Sequence, residues 1–378
     1  MSDRKKVTIL NFDLSDNSLG RAYILGQALS EFYDVEIMGT ARKGKIWGPL
    51  RGSGNKITKL PFSRFPFLLF KLPAILDKMD GNVIYAVKPR FTSFGFGLLK
   101  KYFSNTPLIL DIDDWEVGFY LKKGFLSRLS RFVHITNPNG FFWTWFLQRF
   151  IRYADRITTV STFLQNKYGG EIIPHAKDTD LLNPRKSEKG DLRDRLGLTG
   201  KHVVMFLGTP RAHKGLEDAV KAVLMIERTD LILMIVGANP EGDYEKKLQI
   251  LGGGRLLMIG VIPFNELPRH LMLADVVVIP QRKTPDTAGQ IPSKLFDAMA
   301  LARPIISTRV SDIPEILKDC GIIVEPESPE ELSTAIDWVI NNKDEAMQMG
   351  LRARKKCEEL YSVRTIGEKL KRLVGELI

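Results

Sequence analysis

The chain has 378 residues, of which 44% are hydrophobic and 26% charged, a balance typical of a soluble globular protein with room for two domains. Its two cysteines, Cys320 and Cys357, lie far apart in the sequence. This argues against a disulfide framework or a paired-cysteine metal site and indicates a reducing compartment. The net charge of +11 favours an anionic partner, such as nucleic acid, anionic lipid or a phosphorylated substrate.

The first residues lead into a short strand instead of a long signal core, and no apolar run is long enough to cross a bilayer. We therefore expect a cytoplasmic protein. A strand at 6–11, a polar loop at 12–21, a helix up to 31 and a strand at 34–38 predict the opening of a doubly wound α/β domain. No G-x-G-x-x-G sequence is present, which disfavours a dinucleotide site.

Two stretches, at 57–76 and at 119–153, mix aromatic and leucine residues with lysine and arginine. They are too apolar for nucleic acid and too short to span a membrane, but the mixture suits an interfacial segment at an anionic headgroup layer. Ordinary core helices with solvated basic faces are the alternative, and the sequence leaves both open.

Acidic residues cluster after the strand predicted at 106–110, in the order Asp111-Ile-Asp-Asp-Trp-Glu116. The carboxyl edge of a parallel sheet faces the ligand crevice, and packed carboxylates raise one another's pKa or need a cation. Asp113, Asp114, Trp115 and Glu116 are therefore candidate site residues. A helix cap by Asp113 or Asp114 is the structural alternative.

A second series of strand and helix patterns follows a charged linker at 185–198. Its first strand, at 202–207, ends in the turn GTPRAHKG at 208–215. A cation beside the free N–H groups of a helix start makes a phosphate cradle, so Lys214 and, less directly, Arg211 are candidates to hold a phosphate. The strands predicted at 231–236 and 256–259 also end in turns rich in glycine and proline.

The segment QIPSKLFDAMALARPII at 290–306 lies between two buried strand patterns. Pro292 suits the first position of a helix, and Ser293 and Asp297, four residues apart, share one face of it. The opposite face is apolar and packs on the sheet, so Ser293 and Asp297 are predicted to look across its carboxyl edge. The helix start can hold an anion, and the carboxylate can accept hydrogen bonds from sugar hydroxyls.

The order KLFDAMA at 294–300, followed by Arg303-Pro304, resembles the donor-binding motif of GT-B glycosyltransferases of the GT4, or group 1, family. Residues 153–161 and 172–184 are similar to that family's passage between domains, with 173–184 in the place of its IPNGVDxxxFxP pattern. The resemblance implies an α/β protein with two Rossmann-like doubly wound domains that face a cleft. The acceptor-binding domain would comprise residues 1–168 and a returning C-terminal helix at 362–378, and the nucleotide-sugar domain residues 169–361.

The family motif carries two glutamates, of which the second holds the ribose hydroxyls and the first touches the transferred sugar. Asp297 takes the second position as a shorter carboxylate, and the first falls on Gly289. Asp286, on a loop expected to be flexible, or Gln290 and backbone groups would then hold the sugar. At the acceptor side, Asp113 and Asp114 stand where the family often has His-Asp. The resemblance further implies donor contacts from Gly20, Thr209, Gly237, Val261, Ile262, Ile291, Pro292 and Ser293, and acceptor contacts from Arg21, Trp115 and Glu116.

The activity implied by the resemblance is that of a retaining, metal-independent glycosyltransferase of the hexosyltransferase type, which needs no cofactor. Its donor would be a nucleotide diphosphate sugar of the UDP or GDP type. Lys214 and Arg211 would stabilise the leaving diphosphate, and Asp113 or Asp114 would orient the acceptor hydroxyl. With the interfacial stretches, we expect a lipid-linked or cell-surface glycan as acceptor, an anionic membrane surface as partner and a peripheral place on the inner face of the cell membrane.

Three alternatives stay open. A catalytically degenerate binding or scaffold subunit is consistent with the departures from the family pattern at Gly289 and Asp113. A GT-B sugar-nucleotide epimerase would share the fold, but the sequence does not reveal its catalytic acids. A nucleic-acid-binding protein is suggested by charge alone, and we expect no such partner because the aromatic stretches are too rich in leucine.

Overall fold

The structure, a computed structural model, describes residues 4–50, 56–121, 134–186 and 190–378. The chain forms two compact units. The N-terminal unit comprises Met1–Ala176, Ala288–Gln290 and Val363–Ile378, and the C-terminal unit comprises Lys177–Thr287 and Ile291–Ser362. The chain first passes from the N-terminal to the C-terminal unit after Ala176, which is later than the predicted boundary at 168, because residues 171–172 still pair with the first sheet.

The N-terminal unit contains a parallel sheet whose strand order is β3-β2-β1-β4-β5-β6-β7. The strands are β1 (Lys6–Asn11), β2 (Asp34–Thr40), β3 (Lys56–Leu60), β4 (Val83–Val87), β5 (Leu108–Ile112), β6 (Arg156–Thr159) and β7 (Glu171–Ile172). Every residue of β4 and β5 is buried, as expected for central strands covered on both faces. The order reverses between β1 and β4, and this switch point is where open α/β sheets bind ligands.

Helices cover this sheet. They are α1 (Leu19–Leu29), α2 (Leu72–Lys78), α3 (Phe96–Ser104), α4 (Gly118–Leu121), α5 (Phe141–Leu147), α6 (Thr162–Tyr168) and the last helix of the chain, α15 (Val363–Gly375). The return of α15 to the N-terminal unit confirms the prediction. It packs against α1 so closely that a Cβ atom added to Gly367 would lie 2.6 Å from the carbonyl oxygen of Ala28.

The C-terminal unit has a parallel sheet in the order β10-β9-β8-β11-β12-β13. Its strands are β8 (His202–Leu207), β9 (Leu231–Val236), β10 (Leu256–Ile259), β11 (Val276–Ile279), β12 (Ile305–Thr308) and β13 (Ile322–Val324). Its helices are α7 (Leu192–Arg195), α8 (Leu216–Met225), α9 (Asp243–Gly252), α10 (Leu267–Leu271), α11 (Ser293–Ala300), α12 (Ile313–Leu317), α13 (Pro329–Asn341) and α14 (Lys343–Leu360). The switch point lies between β8 and β11.

Short helical turns complete the two units. The 3₁₀ turns are Gly48–Leu50, Leu69–Lys71, Gln148–Tyr153, Ala212–Lys214, Gly253–Arg255 and Phe264–Glu266, and Phe91–Gly95 is a π-helical turn. Part of the predicted aromatic stretch, residues 122–133, and residues 187–189 of the predicted linker lie outside the described residues. None of the helices that the structure describes is long and apolar enough to cross a bilayer.

Candidate functional site

The acidic residues that follow β5 surround a lysine that follows β4, the neighbouring strand. The Nζ atom of Lys88 lies 3.0 Å from Asp113 Oδ1 and 3.0 Å from Glu116 Oε1, and it also contacts Asp114 Oδ2. Lys88 and Glu116 are almost completely buried, and the two aspartates only slightly less. The structure thus brings three predicted site residues together around a cation that the sequence analysis missed.

Arg90 adds a second cation to this cluster. Its guanidinium contacts Glu116 Oε2 and donates to the carbonyl oxygen of Asn139 at 2.8 Å. Burial alone would raise the pKa of Glu116, but Arg90 and Lys88 hold that pKa below its usual value. Asp113 behaves differently, since burial raises its pKa to about 7 in spite of the opposing charge of Lys88. Two neighbouring carboxyl groups therefore differ in protonation near neutral pH.

Two more predicted residues belong to this edge of the N-terminal unit. Gln290, part of the short segment that joins this unit, donates from Nε2 to Asp114 Oδ1 at 3.0 Å. The indole of Trp115 packs against Phe163 of α6, with ring centroids 5.7 Å apart, and Lys167 Nζ lies 4.7 Å from the indole centroid. Both predicted residues are thereby fixed next to the charged cluster.

Arg21 is an interior residue, which contradicts its predicted acceptor-binding role. Its guanidinium forms a bidentate ion pair with Asp111, with distances of 3.0 Å from Nε to Oδ2 and 2.7 Å from Nη2 to Oδ1. It also donates to the carbonyl oxygens of Ile173 and Pro174 at 2.8 and 3.0 Å. Both side chains are buried, and Thr158 Oγ1 donates to Asp111 as well. These contacts tie β5, β6 and the end of the N-terminal unit to α1, so the pair is structural.

Gly20 is the second residue of α1, so it lies in the helix and not in the polar loop predicted at 12–21. A Cβ atom placed on it would meet only the ring of Trp47, at an ordinary contact distance of 3.8 Å. The backbone therefore does not require glycine here, and a donor contact by Gly20 stays a prediction.

In the C-terminal unit, the turn after β8 has the form that the sequence predicted. Lys214 Nζ donates to the carbonyl oxygen of Thr209 at 2.9 Å, and α8 begins two residues later. Gly215 has φ +65°, and a Cβ atom there would lie 1.9 Å from the carbonyl oxygen of Pro280, so the turn needs glycine to pass the end of β11. Arg211 is exposed beside it. Two basic residues thus precede the start of α8 in this turn.

The turns after β8 and β9 meet through their backbones. Gly237 has φ +100°, and a Cβ atom added to it would lie 3.1 Å from the carbonyl carbon of Gly208. After β10, Val261 is 64% exposed and Ile262 is half-buried. The carboxyl edge of this sheet therefore presents backbone and a few apolar groups, while base recognition by Val261 and Ile262 stays a prediction.

Asp286 does not present a carboxylate on an exposed loop, contrary to expectation. Its Oδ2 atom lies 3.3 Å from Nδ1 of His213, and its Oδ1 accepts a 2.5 Å hydrogen bond from Thr284. The side chain is only 4% exposed. Asp286 thus anchors its loop to the turn that carries Lys214, and a direct contact with a sugar would require this arrangement to change.

Asp297 is also turned inward, so the prediction that it looks across the sheet edge is wrong. The carboxylate is fully buried, and its Oδ1 atom lies 2.6 Å from Nζ of Lys177. Lys177 also donates to Ser293 Oγ at 3.0 Å, and Lys294 Nζ lies 3.5 Å from the other carboxylate oxygen. Burial lowers the pKa of Lys177 although Asp297 acts against this. The ammonium and the Ser293 hydroxyl lie at the start of α11, where the sequence predicted an anion.

Gly289 packs where no larger residue fits. A Cβ atom on it would lie 2.8 Å from Phe163 and 3.0 Å from Leu164, both of α6, and its carbonyl oxygen accepts a 2.9 Å hydrogen bond from Ser161. The family's first glutamate is therefore excluded from this position by contact with the N-terminal unit. Its absence has a steric cause in this chain.

The start of α11 differs slightly from the prediction. The helix begins at Ser293, and Pro292 is the residue before it, with ψ 120° in the extended region. Ile291 is 3% exposed and anchors the segment in the core of the C-terminal unit. The Leu295 N–H donates to the Pro292 carbonyl oxygen at 3.0 Å, so the N–H groups at this helix start that lack an intrahelical partner are those of Ser293 and Lys294.

Four residues of these clusters were missed: Lys88, Arg90, Lys177 and His213. Lys88-Pro-Arg90 comes directly after a buried strand, which is a signal that the carboxyl-edge argument could have used. Lys177 stands in the place of the valine in the resembled IPNGVD pattern, and a charge there should have prompted a search for its partner. In the described part of the chain, no three His, Cys, Asp or Glu side chains form a group that could hold a metal ion.

The fold agrees over nearly the full chain with several solved structures. Sucrose-phosphate synthase from Thermosynechococcus elongatus matches with a TM-score of 0.77 at 18% identity, covering 99% of each chain. HepE of Anabaena, solved in complex with UDP and glucose, matches with a TM-score of 0.77 at 16% identity, over 99% of this chain and 100% of that one. At such low identities these likenesses establish the fold, and the fold is GT-B.

The family model described as Glycosyl transferases group 1 matches residues 201–342, which lie in the C-terminal unit. Over this region the match confirms the resemblance to the group 1 glycosyltransferases that the sequence showed. Among curated relatives, the GDP-mannose-dependent alpha-(1-6)-phosphatidylinositol monomannoside mannosyltransferase of Mycolicibacterium smegmatis is 27% identical over 61% of this chain and 64% of its own length. The alpha-D-kanosaminyltransferase of Streptomyces kanamyceticus is 25% identical over 53% and 51%. The chain thus spans between about half and two thirds of these relatives.

Proposed function

We propose that the protein is a retaining glycosyltransferase that moves a sugar from a nucleotide diphosphate sugar to an acceptor hydroxyl. The observation that carries this proposal is the phosphate turn of the C-terminal unit. Lys214 and Arg211 lie in the turn between β8 and the start of α8, inside the region that matches the family model. A helix start with adjacent cations stabilises a diphosphate, and most strongly when negative charge develops on it as it leaves.

We propose a donor that carries UDP or GDP. The relative in M. smegmatis is named for GDP-mannose, and HepE was solved with UDP, so both bases belong to the test. Lys214 and Arg211 are proposed to offset the diphosphate charge without a metal ion or other cofactor. Gly208 has no side chain at the carboxyl edge of β8, where a Cβ atom would lie 3.5 Å from Lys214 Nζ, and we propose that the phosphate approaches the main chain there.

On the acceptor side, Asp113 and Asp114 are proposed to orient the acceptor hydroxyl by accepting its hydrogen bond. In a retaining transfer the hydroxyl attacks the anomeric carbon from the face on which the diphosphate departs. The new C–O bond forms as the bond to the diphosphate breaks, and the hydroxyl proton leaves with the nucleoside diphosphate. The placement of Asp113 and Asp114 at the carboxyl edge of β5 supports this role.

We propose further that the acceptor is a lipid-linked or cell-surface glycan and that the protein works on an anionic membrane surface at the inner face of the cell membrane. The two aromatic stretches are joined in the structure. The Phe65 N–H donates to the Thr136 carbonyl oxygen at 2.9 Å, and the Phe65 ring lies 4.6 Å from that of Trp143. Around this junction the exposed apolar side chains are Phe67, Leu69, Phe70, Ile135 and Trp145.

Charge supports the same partner. Residues 61–76 and 134–153 contain no Asp or Glu but include four arginines and lysines: Arg64, Lys71, Arg149 and Arg152. Arg149 stacks on Trp145, with its guanidinium carbon 3.6 Å from the ring centroid. Aromatic rings with adjacent guanidinium groups suit the interface of an anionic bilayer. The M. smegmatis relative, whose name includes a phosphatidylinositol mannoside, agrees with a lipid-linked acceptor.

The donor half is tested by thermal unfolding with UDP, GDP, ADP and their sugars. A ligand that binds the folded state raises the melting temperature, and we expect this for one nucleotide and its sugars only. Lys214→Ala should lose the shift, whereas Lys246→Ala, an exposed lysine on α9, should keep it. No shift with any nucleotide would refute the donor proposal.

A nucleotide shift without release of nucleoside diphosphate would favour the alternative of a degenerate binding subunit. The inward position of Asp297 and the absence of a carboxylate at Gly289 are the observations that favour this alternative.

The membrane half is tested by flotation with liposomes of phosphatidylglycerol and phosphatidylcholine. We expect the protein to float with the anionic vesicles, and Phe67→Ser with Phe70→Ser to abolish flotation. Ile250→Ser is the matched control, because Ile250 is 85% exposed but lies in the C-terminal unit. Equal loss in the control, or no binding by the wild type, would refute the membrane proposal and leave the donor proposal intact.

A further inference from the structure

Lys88 has an unusual backbone conformation at the edge where β4 ends. Its φ is +67°, in the left-handed region, which a lysine adopts only when surrounding contacts enforce it. The Lys88 N–H donates to the Asp111 carbonyl oxygen at 2.8 Å, and its own carbonyl oxygen accepts from Ser93 Oγ at 2.8 Å. Both hydrogen bonds hold the backbone in the bend that turns the side chain toward the acids after β5.

The ammonium of Lys88 is a shared centre for three carboxylates. Because it contacts Asp113, Asp114 and Glu116 at once, each distance constrains the other two. Glu116 has a second cation in Arg90, and Asp114 accepts from Gln290. For Asp113, the structure gives Lys88 as the ion-pair partner within the described residues.

The charges around Asp113 come from several elements. Asp114 follows β5, and Asp111 lies within β5. Arg21 of α1 forms an ion pair with Asp111 and also acts on Asp113. The two aspartates disfavour the ionised form of Asp113, whereas Lys88 and Arg21 favour it. Lys88 is the closer cation, and its removal would leave Asp113 buried next to two other acids.

We propose that Lys88 is a positioning residue for the proposed transferase, one that pairs with the Asp113 carboxylate and orients it to accept the hydrogen bond of the acceptor hydroxyl. This inference rests on the proposed function and deepens it, because it assigns the acceptor contact to Asp113 and the positioning of Asp113 to Lys88, the residue that follows β4. Asp114 and Glu116, each with a second partner, then serve as the fixed frame of the site.

The proposal predicts how the rate depends on pH. The hydrogen bond needs ionised Asp113, whose pKa is about 7 in the folded protein. The rate should therefore fall as the pH drops below about 7, which gives an acidic limb to the profile. Lys88→Met removes a favourable charge at 3.0 Å, so the pKa of Asp113 rises and the limb should move to higher pH by about one to three units.

The experiment measures release of nucleoside diphosphate from UDP-glucose and GDP-mannose by the full chain, with water as acceptor, from about pH 5 to about pH 9. Lys88→Arg keeps the positive charge, so its acidic limb should lie nearer the wild-type pH than that of Lys88→Met. Asp113→Asn should abolish the acidic limb. Lys78→Met, an exposed lysine of α2, is the control that leaves the profile unchanged. A loss of rate in Lys88→Met that is equal at all pH values would overturn the proposal, since a structural role alone gives that result.

The Lys88→Met protein could fail to fold because it leaves three buried carboxylates with one cation fewer. The double variant Lys88→Met with Asp113→Asn removes one charge of each sign and should fold. If it is as slow as Asp113→Asn alone, the two residues act together, and a further additive loss contradicts this. If neither sugar nucleotide binds the wild type, the proposed function fails. If both bind and react but the limb stays in place in Lys88→Met, this inference alone fails.

Discussion

The glycine at 289 is a residue whose identity the neighbouring helix explains. The family motif has a glutamate there, but the space is filled by Phe163 and Leu164. We expect Gly289→Glu to destabilise the protein by about 1–3 kcal/mol, the usual range for overpacking. Chemical denaturation measures this, with Gly254→Glu as control, because a side chain at 254 would meet no atom within 4 Å. Similar stability of the two variants would show that the segment 288–290 does not pack on α6.

The pair of Lys177 and Asp297 leads to a second prediction at the same scale. Both side chains are almost fully buried, so Lys177→Met leaves an uncompensated carboxylate in the core. Such a loss costs about 3–5 kcal/mol in the free energy of unfolding. Adding Asp297→Asn should recover much of this cost, as measured by denaturation of both single variants and the double variant. If Lys177→Met alone is harmless, Asp297 is not held as the structure shows.

This pair also shows why the sequence could not place the site in full. The position of Asp297 on α11 followed from helical spacing, but its direction depended on Lys177, which lies 120 residues earlier and belongs to no local pattern. Arg21 of α1 is the same case, since its partner Asp111 lies on β5, 90 residues later in the chain. Pairing of buried charges is decided by tertiary packing, and local spacing does not contain that information.

At the scale of elements, the period and order of the sequence predicted most of the sheets. The apolar patterns predicted β1, β2, β5, β8, β9 and β10, and the alternation of strands with helices predicted doubly wound α/β units. The pattern did not predict where the segment Ala288–Gln290 packs. This segment belongs to the N-terminal unit, although the residues on both sides of it belong to the C-terminal unit. A loop of three residues has no periodicity, so its docking depends on contacts such as that of Ser161 with Gly289.

The packing of α15 on α1 gives a prediction for an element. Alanine favours helix over glycine by about 1 kcal/mol, so Gly367→Ala would stabilise an isolated helix. In this protein the new methyl group would lie 2.6 Å from the Ala28 carbonyl oxygen, and we expect a net loss of about 1–3 kcal/mol. Gly375→Ala, at the end of the same helix with an ordinary 3.8 Å contact, is the matched control. A more stable Gly367→Ala protein would contradict the docking of α15 on α1.

For the whole molecule, the two units have separate cores, and the proposed donor site lies in one of them. A nucleotide that binds the folded chain at about one hundred times its Kd adds about 2.7 kcal/mol to the free energy of unfolding. We expect amide hydrogen exchange of the full chain to slow on addition of the binding nucleotide. The protected amides should be in the C-terminal unit, at residues 208–215, 237–240 and 291–297.

Protection in the turns follows from their exposed backbone. The N–H groups at the starts of α8 and α11 lack partners within their own helices, so a bound diphosphate would be their hydrogen-bond acceptor and would slow their exchange most. Lys214→Ala should remove the protection at both helix starts together, because a single ligand makes both contacts. Protection confined to the ends of β1, β4 and β5 would instead assign the nucleotide to the charged cluster around Lys88, and the roles proposed for the two units would be exchanged.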